Sequence, residues 1–217
     1  VASLLLKLHF WNPVWDDAYL FFRYGENFKS LGSWGWNPGG GASFGLTSNL
    51  YGAGVLVMRA FVADDPAWVL WCTSAICGVG FLGAVGHAAA HDPTVSFSRR
   101  TWGLGAVCIA LFLSRDNLSA HSASGMDTTF AMVFLGAWIW LFRLSLHKPD
   151  SPLRWLVGAM GAVTYWVRPD ILPFVLAPTA LISIWATQAG TRRVGRSILL
   201  LSVMGLVTLL LCSSVWL

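Results

Sequence analysis

Apolar runs recur along this chain at about residues 66–90, 101–114, 128–146, 155–167, 171–187 and 197–217, and this recurrence constrains the fold more than any other feature. A helix rises about 1.5 Å per residue, so roughly 20 apolar residues cross some 30 Å of hydrocarbon. Most of the runs are near that length. The two that flank Arg168, Pro169 and Asp170 are shorter, and suggest helices that stop early and leave polar backbone to line a cavity rather than face lipid. Residues 50–63, bounded by Thr47, Ser48 and Asn49 and by Asp64, Asp65 and Pro66, are too few to cross and read as a helix at the outer interface. Only 11% of the 217 residues are charged and 56% are hydrophobic, against about a quarter charged in a soluble domain. The expected fold is therefore all-α, a polytopic transmembrane helical bundle with an outer-face loop and interfacial helices after the first transmembrane helix.

The chain opens at Val1 on a run too short to span and closes inside another, so the first helix and whatever follows Leu217 are expected to be missing. No charged leader or small-residue cleavage site marks a signal peptide. Cys72, Cys77, Cys108 and Cys212 lie in apolar segments without CxxC spacing, which argues against a disulfide framework or a zinc site. The net charge of +4 does not indicate nucleic-acid binding, because the bases fall in short clusters between apolar runs instead of in one patch.

Those clusters report topology. Alternating the spans gathers Arg99, Arg100, Arg143, Lys148, Arg154, Arg192, Arg193 and Arg196 on one side, against Asp92 and Asp150, and the positive-inside rule makes that side cytoplasmic. The other side collects Asp16, Asp17, Glu26, Asp64, Asp65, Asp116, Asp127 and Asp170. Acids contribute little to orientation, so their gathering on the outer face is better explained by a site there.

Asp16 and Asp17 stand where the first apolar run meets DDAYLFFRYGEN, at the membrane edge, where ionised carboxylates are costly. One of them could simply cap the helix expected over residues 18–28; the other would still be free for chemistry. In such a helix Asp16, Arg23 and Asn27 fall near one face, bringing a carboxylate, a cation and an amide together. The plainer reading is a surface ion pair of Asp16 or Glu26 with Arg23. Next, LGSWGWNPGGG makes a tight turn at Asn37 and Pro38 that lets backbone approach a ligand or another helix. In SASGMDTT, Ser124 or Asp127 is placed to cap the following helix, with Gly125 between them.

Arg168, in VRPD, sits between two short apolar runs and needs an anionic partner. A phosphate or carboxylate ligand satisfies that need, and so does a structural pair with Asp127 or Asp170. Pro169 breaks the helix there. His87 and His91 have i, i+4 spacing but no acid between them, which makes a weak zinc signal. His121 lies in the outer loop close to Asp127. Asn117, Leu118 and Ser119 match a glycosylation sequon, a pattern too short to carry weight.

Taken in order, DDAYLFFRYGENFKSLGSWGWNPGGG, LTSNLY, SASGMDTTF and VRPDILPF resemble the GT-C membrane glycosyltransferases that use polyprenyl-phosphate sugars, and among them the mycobacterial arabinofuranosyltransferases that add terminal β-(1→2) residues, with their bacterial relatives. The resemblance covers about residues 15–175. Where the family pattern has an acid after Asn-Pro-Gly, this chain has Gly40, Gly41 and Ala42, which leaves the sugar open.

What the resemblance implies is an N-terminal part of a GT-C transmembrane domain over residues 1–217, with residues 16–65 as the first extracytoplasmic loop. It implies a multi-pass protein of the bacterial plasma membrane with an extracytoplasmic site. The activity would be an inverting transfer from a polyprenyl-phosphate-linked donor to a cell-envelope glycan, with Asp16 or Asp17 as general base. Arg23, Asn27, Asn37, Ser124, Asp127, Arg168 and Asp170 would bind substrate, Arg168 and Arg23 on the donor phosphate. Some relatives bind a divalent cation, and paired acids can do so, but no full ligand set is visible. Two other readings are a GT-C transferase acting on protein or lipid A, and a transporter or flippase in which Asp127, Arg168 and Asp170 form an ion path. No inverted repeat stands out, which weakens the transporter.

Overall fold

The computed structural model describes residues 14–37, 45–62, 65–91, 121 and 124–214. The apolar run at 101–114, the glycines at 39–41, Ala42, Arg99, Arg100 and the sequon at Asn117 lie outside these residues. Among the described residues every regular element is helical, and the chain divides into two compact units, Val1–Glu26 with Tyr51–Val133 and Asn27–Leu50 with Phe134–Leu217. The segment 16–65 is therefore shared between both units.

The first unit begins with a 3-10 turn, Asp16–Ala18, which leads into α1, Tyr19–Leu31. Helix α2, Asn49–Arg59, packs on α1. Leu56 lies 3.7 Å from where a Cβ on Gly25 would sit, the Phe21 and Tyr51 rings meet edge to face at 4.9 Å, and the Arg59 guanidinium stands 5.0 Å over the Phe22 ring. Arg59 also pairs with Glu26, so Glu26 has a partner on α2. At 11 residues α2 is too short to cross a bilayer. Helix α3, Pro66–His91, starts where the Asp65 carboxylate accepts the Ala67 N–H at 2.9 Å, with proline in the first position, where its missing N–H costs nothing. His87 and His91 belong to its last turns; their side chains are outside the described set.

The second unit is built on the latter part of α4, Thr128–His147, and on α5, Leu153–Val167, α6, Leu172–Trp185, and α7, Ala189–Ser214. Gly158 meets Leu201, Gly161 meets Ser202 and Gly205 meets Ala162, so α5 and α7 run parallel; Gly195 against Ile182 and Ser183 makes α6 antiparallel to α7. Helix α5 ends at Val167 because Arg168 precedes Pro169, and a residue before proline is driven to extended backbone; its φ and ψ are −167° and 126°. Pro178 inside α6 removes one ladder bond, and there the Thr179 hydroxyl donates to the carbonyls of Val175 and Leu176.

The core of this unit holds Trp138, Phe142, Val157, Val175, Val194 and Ile198, with the Trp138 indole N–H donating to the Val157 carbonyl at 3.1 Å. Buried among them are five hydroxyl residues, Ser145, Thr164, Thr179, Ser183 and Ser202, each donating to a backbone carbonyl. Large apolar side chains also occupy outward positions: Trp185 is 75% exposed, Met204 66%, Phe174 and Ile184 64%. A water-facing bundle carries polar side chains on that face. Among the described residues two helices, Thr128–His147 and Ala189–Cys212, are long and apolar enough to cross a membrane, and Pro66–Phe81 and Pro169–Trp185 are shorter apolar helices.

Candidate functional site

The acid pair sits on the 3-10 turn with both side chains exposed, and among the described residues neither carboxylate has a hydrogen-bond or ion-pair partner. The cap position of that turn belongs to Trp15, so capping does not account for either acid. What fixes the turn is Trp15 itself: its N–H donates to the Ser124 carbonyl at 2.9 Å, and its ring meets His121 edge to face at 5.3 Å. One main-chain bond thus ties Asp16 and Asp17 to the Ser124–Asp127 segment, more than a hundred residues along the chain.

That segment is itself held on four sides. Ser124, fully buried, donates its hydroxyl to the His121 carbonyl at 3.0 Å and accepts the Met126 N–H at 3.2 Å. The Gly125 N–H donates to the Ser74 hydroxyl at 3.1 Å, and the Gly125 carbonyl accepts the Tyr51 hydroxyl at 2.7 Å. The Thr129 hydroxyl donates to the Ser74 carbonyl at 3.2 Å. Gly125 has φ +75°, and a Cβ there would lie 2.9 Å from Leu70, 3.0 Å from Val14 and 3.1 Å from Ala18. Only glycine satisfies both the torsion and the space. Asp127 is buried, and its carbonyl accepts the Ala131 N–H at 2.9 Å, the first bond of α4, so it occupies the cap position expected of Ser124 or Asp127.

Burial pushes the Tyr51 phenol well above the usual tyrosine range; the nearby Cys77 and Asp127 push the same way, and the hydrogen bond with Ser74 opposes them. Tyr51 is therefore a neutral donor at any physiological pH. Tyr51 and Ser74 were not expected from the sequence as site residues. The only signal was the LTSNLY stretch, since nothing in the apolar run of α3 distinguishes Ser74 from its neighbours.

The remaining expected residues are distributed differently. Arg23 is exposed on α1 in the first unit. In the second unit Asn27, 4% exposed, donates its amide to the carbonyls of Gly35 at 2.6 Å and Trp36 at 2.9 Å, so it holds the loop after α1. Trp34 closes the same loop, its indole N–H donating to Asn49 at 3.0 Å. Asn37 is exposed at the end of that loop, and Pro38 and the glycines that follow lie outside the described residues. Arg168 meets Asp170 in a fork, Nε to one oxygen at 3.0 Å and a terminal N–H to the other at 2.9 Å, in a partly exposed pair. Asp170 is one of the anionic partners expected for Arg168.

Among the described residues no three His, Cys, Asp or Glu side chains are grouped so as to hold a metal ion, and two neighbouring aspartates alone fall short of the oxygen ligands a divalent cation takes. No protein family, curated protein or solved structure matches this chain.

Proposed function

We propose that this chain is part of a multi-pass membrane glycosyltransferase of GT-C type, located in the bacterial plasma membrane. It transfers a sugar, with arabinofuranose the leading candidate, from a polyprenyl-phosphate donor to a cell-envelope glycan on the extracytoplasmic side. Membrane embedding is supported by the second unit, which buries Ser145, Thr164, Thr179, Ser183 and Ser202 and brings glycines into its helix contacts while Trp185, Met204 and Phe174 face outward, as expected of helices packed in hydrocarbon. Catalysis is supported above all by the Trp15 to Ser124 bond, which fixes an exposed and unpaired acid pair beside a rigid turn.

In the proposed reaction an acceptor hydroxyl attacks the anomeric carbon as the bond from that carbon to the phosphate oxygen breaks. The hydroxyl proton passes to Asp16 or Asp17, and polyprenyl phosphate leaves with the bond's electron pair. The leaving phosphate needs no strong acid, whereas the attacking hydroxyl must lose its proton as it bonds, and one positioned carboxylate can accept it. With the full-length protein and polyprenyl-phosphate sugars, Asp16→Asn abolishes transfer while the protein stays folded and inserted. Asp17→Asn costs at least about tenfold, roughly 1.4 kcal/mol of barrier. Near-normal turnover in both variants would sink the mechanism.

The case for Arg168 as a ligand of the donor phosphate is chemical: a planar fork that grips a carboxylate grips a phosphate in the same way. Because Asp170 now occupies the fork, the two anions compete. Asp170→Asn then raises donor affinity and Arg168→Ala lowers it; donor affinity unchanged in both variants makes the pair structural.

A further inference from the structure

Within the second unit the bases converge on one end. The α4–α5 turn and the α6–α7 turn lie together, since a Cβ on Gly190 would stand 3.5 Å from Pro149. The parallel register that matches Gly158 with Leu201 also sets Arg154 level with the first turns of α7. That end therefore carries Arg143, Lys148, Arg154, Arg192, Arg193 and Arg196, with Asp150 as the acid of the two turns.

Two of these cations are committed to holding the turns. Arg154 donates to the Pro149 carbonyl at 2.6 Å, and Arg192 donates twice to Ala186, the residue that ends α6, at 3.0 and 2.8 Å. Three of the others are not neutralised from within the described residues. Lys148, Arg193 and Arg196 are exposed and, among the described residues, have no side-chain hydrogen-bond or ion-pair partner; Asp150 has none either. The Arg154 Nε is buried with no acceptor. A cluster of cations with exposed donors at one end of apolar helices is complementary to phosphodiester headgroups lying in the same plane.

The geometry points to this end as a docking surface for anionic phospholipid headgroups, with Arg193 and Arg196 as principal contacts and Lys148 and Arg143 at the margin. The inference shares with the proposed function only the membrane setting, and it holds or fails apart from the transfer chemistry. It also exceeds the positive-inside rule, which concerns orientation and calls for no bound lipid.

The test is thermal unfolding of the detergent-solubilised full chain, titrated with phosphatidylglycerol, with phosphatidylcholine and with inorganic phosphate. Phosphatidylglycerol raises the midpoint, and the other two do not. Each surface cation contributes roughly a fivefold factor at an anionic surface, so Arg193→Gln with Arg196→Gln weakens the apparent affinity about 25-fold, while the double Lys variant stays near the parent. Added salt weakens binding in the parent, a readout that needs no variant to fold. Equal midpoints in the two lipids, an unchanged affinity in the double Gln variant, or inorganic phosphate matching the lipid would each overturn the assignment.

Discussion

The two units are held by different means. In the first, an irregular turn is fixed by side chains far away in sequence: Ser74 reaches Gly125 across 51 residues and Tyr51 reaches it across 74. In the second, helices approach through glycines, and Ser202 to Gly158 is a single hydrogen bond set into that contact. The first arrangement specifies the position of a few backbone atoms, which is what a site requires. The second specifies a helix separation and leaves the outer surface apolar. Breaking each should therefore give different symptoms.

The largest effect is expected at Gly125, where φ is +75° and a Cβ would meet three neighbours at about van der Waals overlap. Gly125→Val combines a strained torsion with overpacking, each costing roughly 1–3 kcal/mol. Transfer activity should vanish and the first unit should become protease-sensitive. Gly32 is the control: its φ is +67° but nothing lies within 4 Å of the added Cβ, so Gly32→Ala carries torsional cost alone, about 1–2 kcal/mol. Equal losses of stability in the two variants would mean that the clash around Gly125 does not matter.

Gly161→Val tests the second unit. Its Cβ would overlap the Ser202 side chain, hydroxyl and Cβ alike, and the expected cost is about 1–3 kcal/mol as α5 and α7 separate. Proximity crosslinking between cysteines placed at Gly158 and Leu201 would report the separation. If the crosslink formed as readily in Gly161→Val as in the parent, close approach would not be what holds the unit.

Tyr51→Phe acts within the first unit. Removing one hydroxyl leaves the buried Gly125 carbonyl without its donor, for about 1–3 kcal/mol. The same residue sets a pH dependence. Because the folded phenol titrates above its ordinary value near 10, the unfolded chain releases its proton first as pH rises. Stability from this group is therefore complete below about pH 10 and declines above it. Denaturant unfolding at rising alkaline pH should show that slope in the parent and a shallower one in Tyr51→Phe; identical slopes would exclude Tyr51 as its source.

Legibility in the sequence follows the same division. Helices α3 to α7 were readable because burial in either lipid or a packed core demands long apolar runs, and the break at Arg168 followed from Pro169 alone. The helix after the acid pair was readable too, though its capping was not: Trp15, with no side-chain acceptor, takes the position expected of an aspartate. Asn27 was expected to face a substrate and instead holds the loop at Gly35 and Trp36. An amide eight residues before a turn has two such uses, and spacing does not separate them. Tyr51 and Ser74 were invisible as partners of Gly125, because pairings across 50 residues or more depend on helix packing and leave no local pattern.

The smallest expected effect is at the Glu26 and Arg59 pair, and it sharpens the comparison by asking whether charge adds anything to how the first unit is held. The sequence offered Arg23 as a partner of Asp16 or Glu26; Arg59, from α2, pairs with Glu26 as well as covering α1. The Arg59 side chain is 13% exposed and Glu26 40%, so water screens the carboxylate side, and a pair of this kind is worth about 0.2–1 kcal/mol. Arg59 also covers the Phe22 ring, a contact that remains when the acid is neutralised. Glu26→Gln should therefore cost less than about 1 kcal/mol, with the loss shrinking in high salt, whereas Arg59→Ala should cost more because ring contact and stem packing go with the charge. Unfolding of both variants at low and high salt separates the contributions. A loss in Glu26→Gln as large as that in Tyr51→Phe would show that α1 and α2 are joined chiefly by charge, and that the hydrogen bonds to the Gly125 turn are secondary.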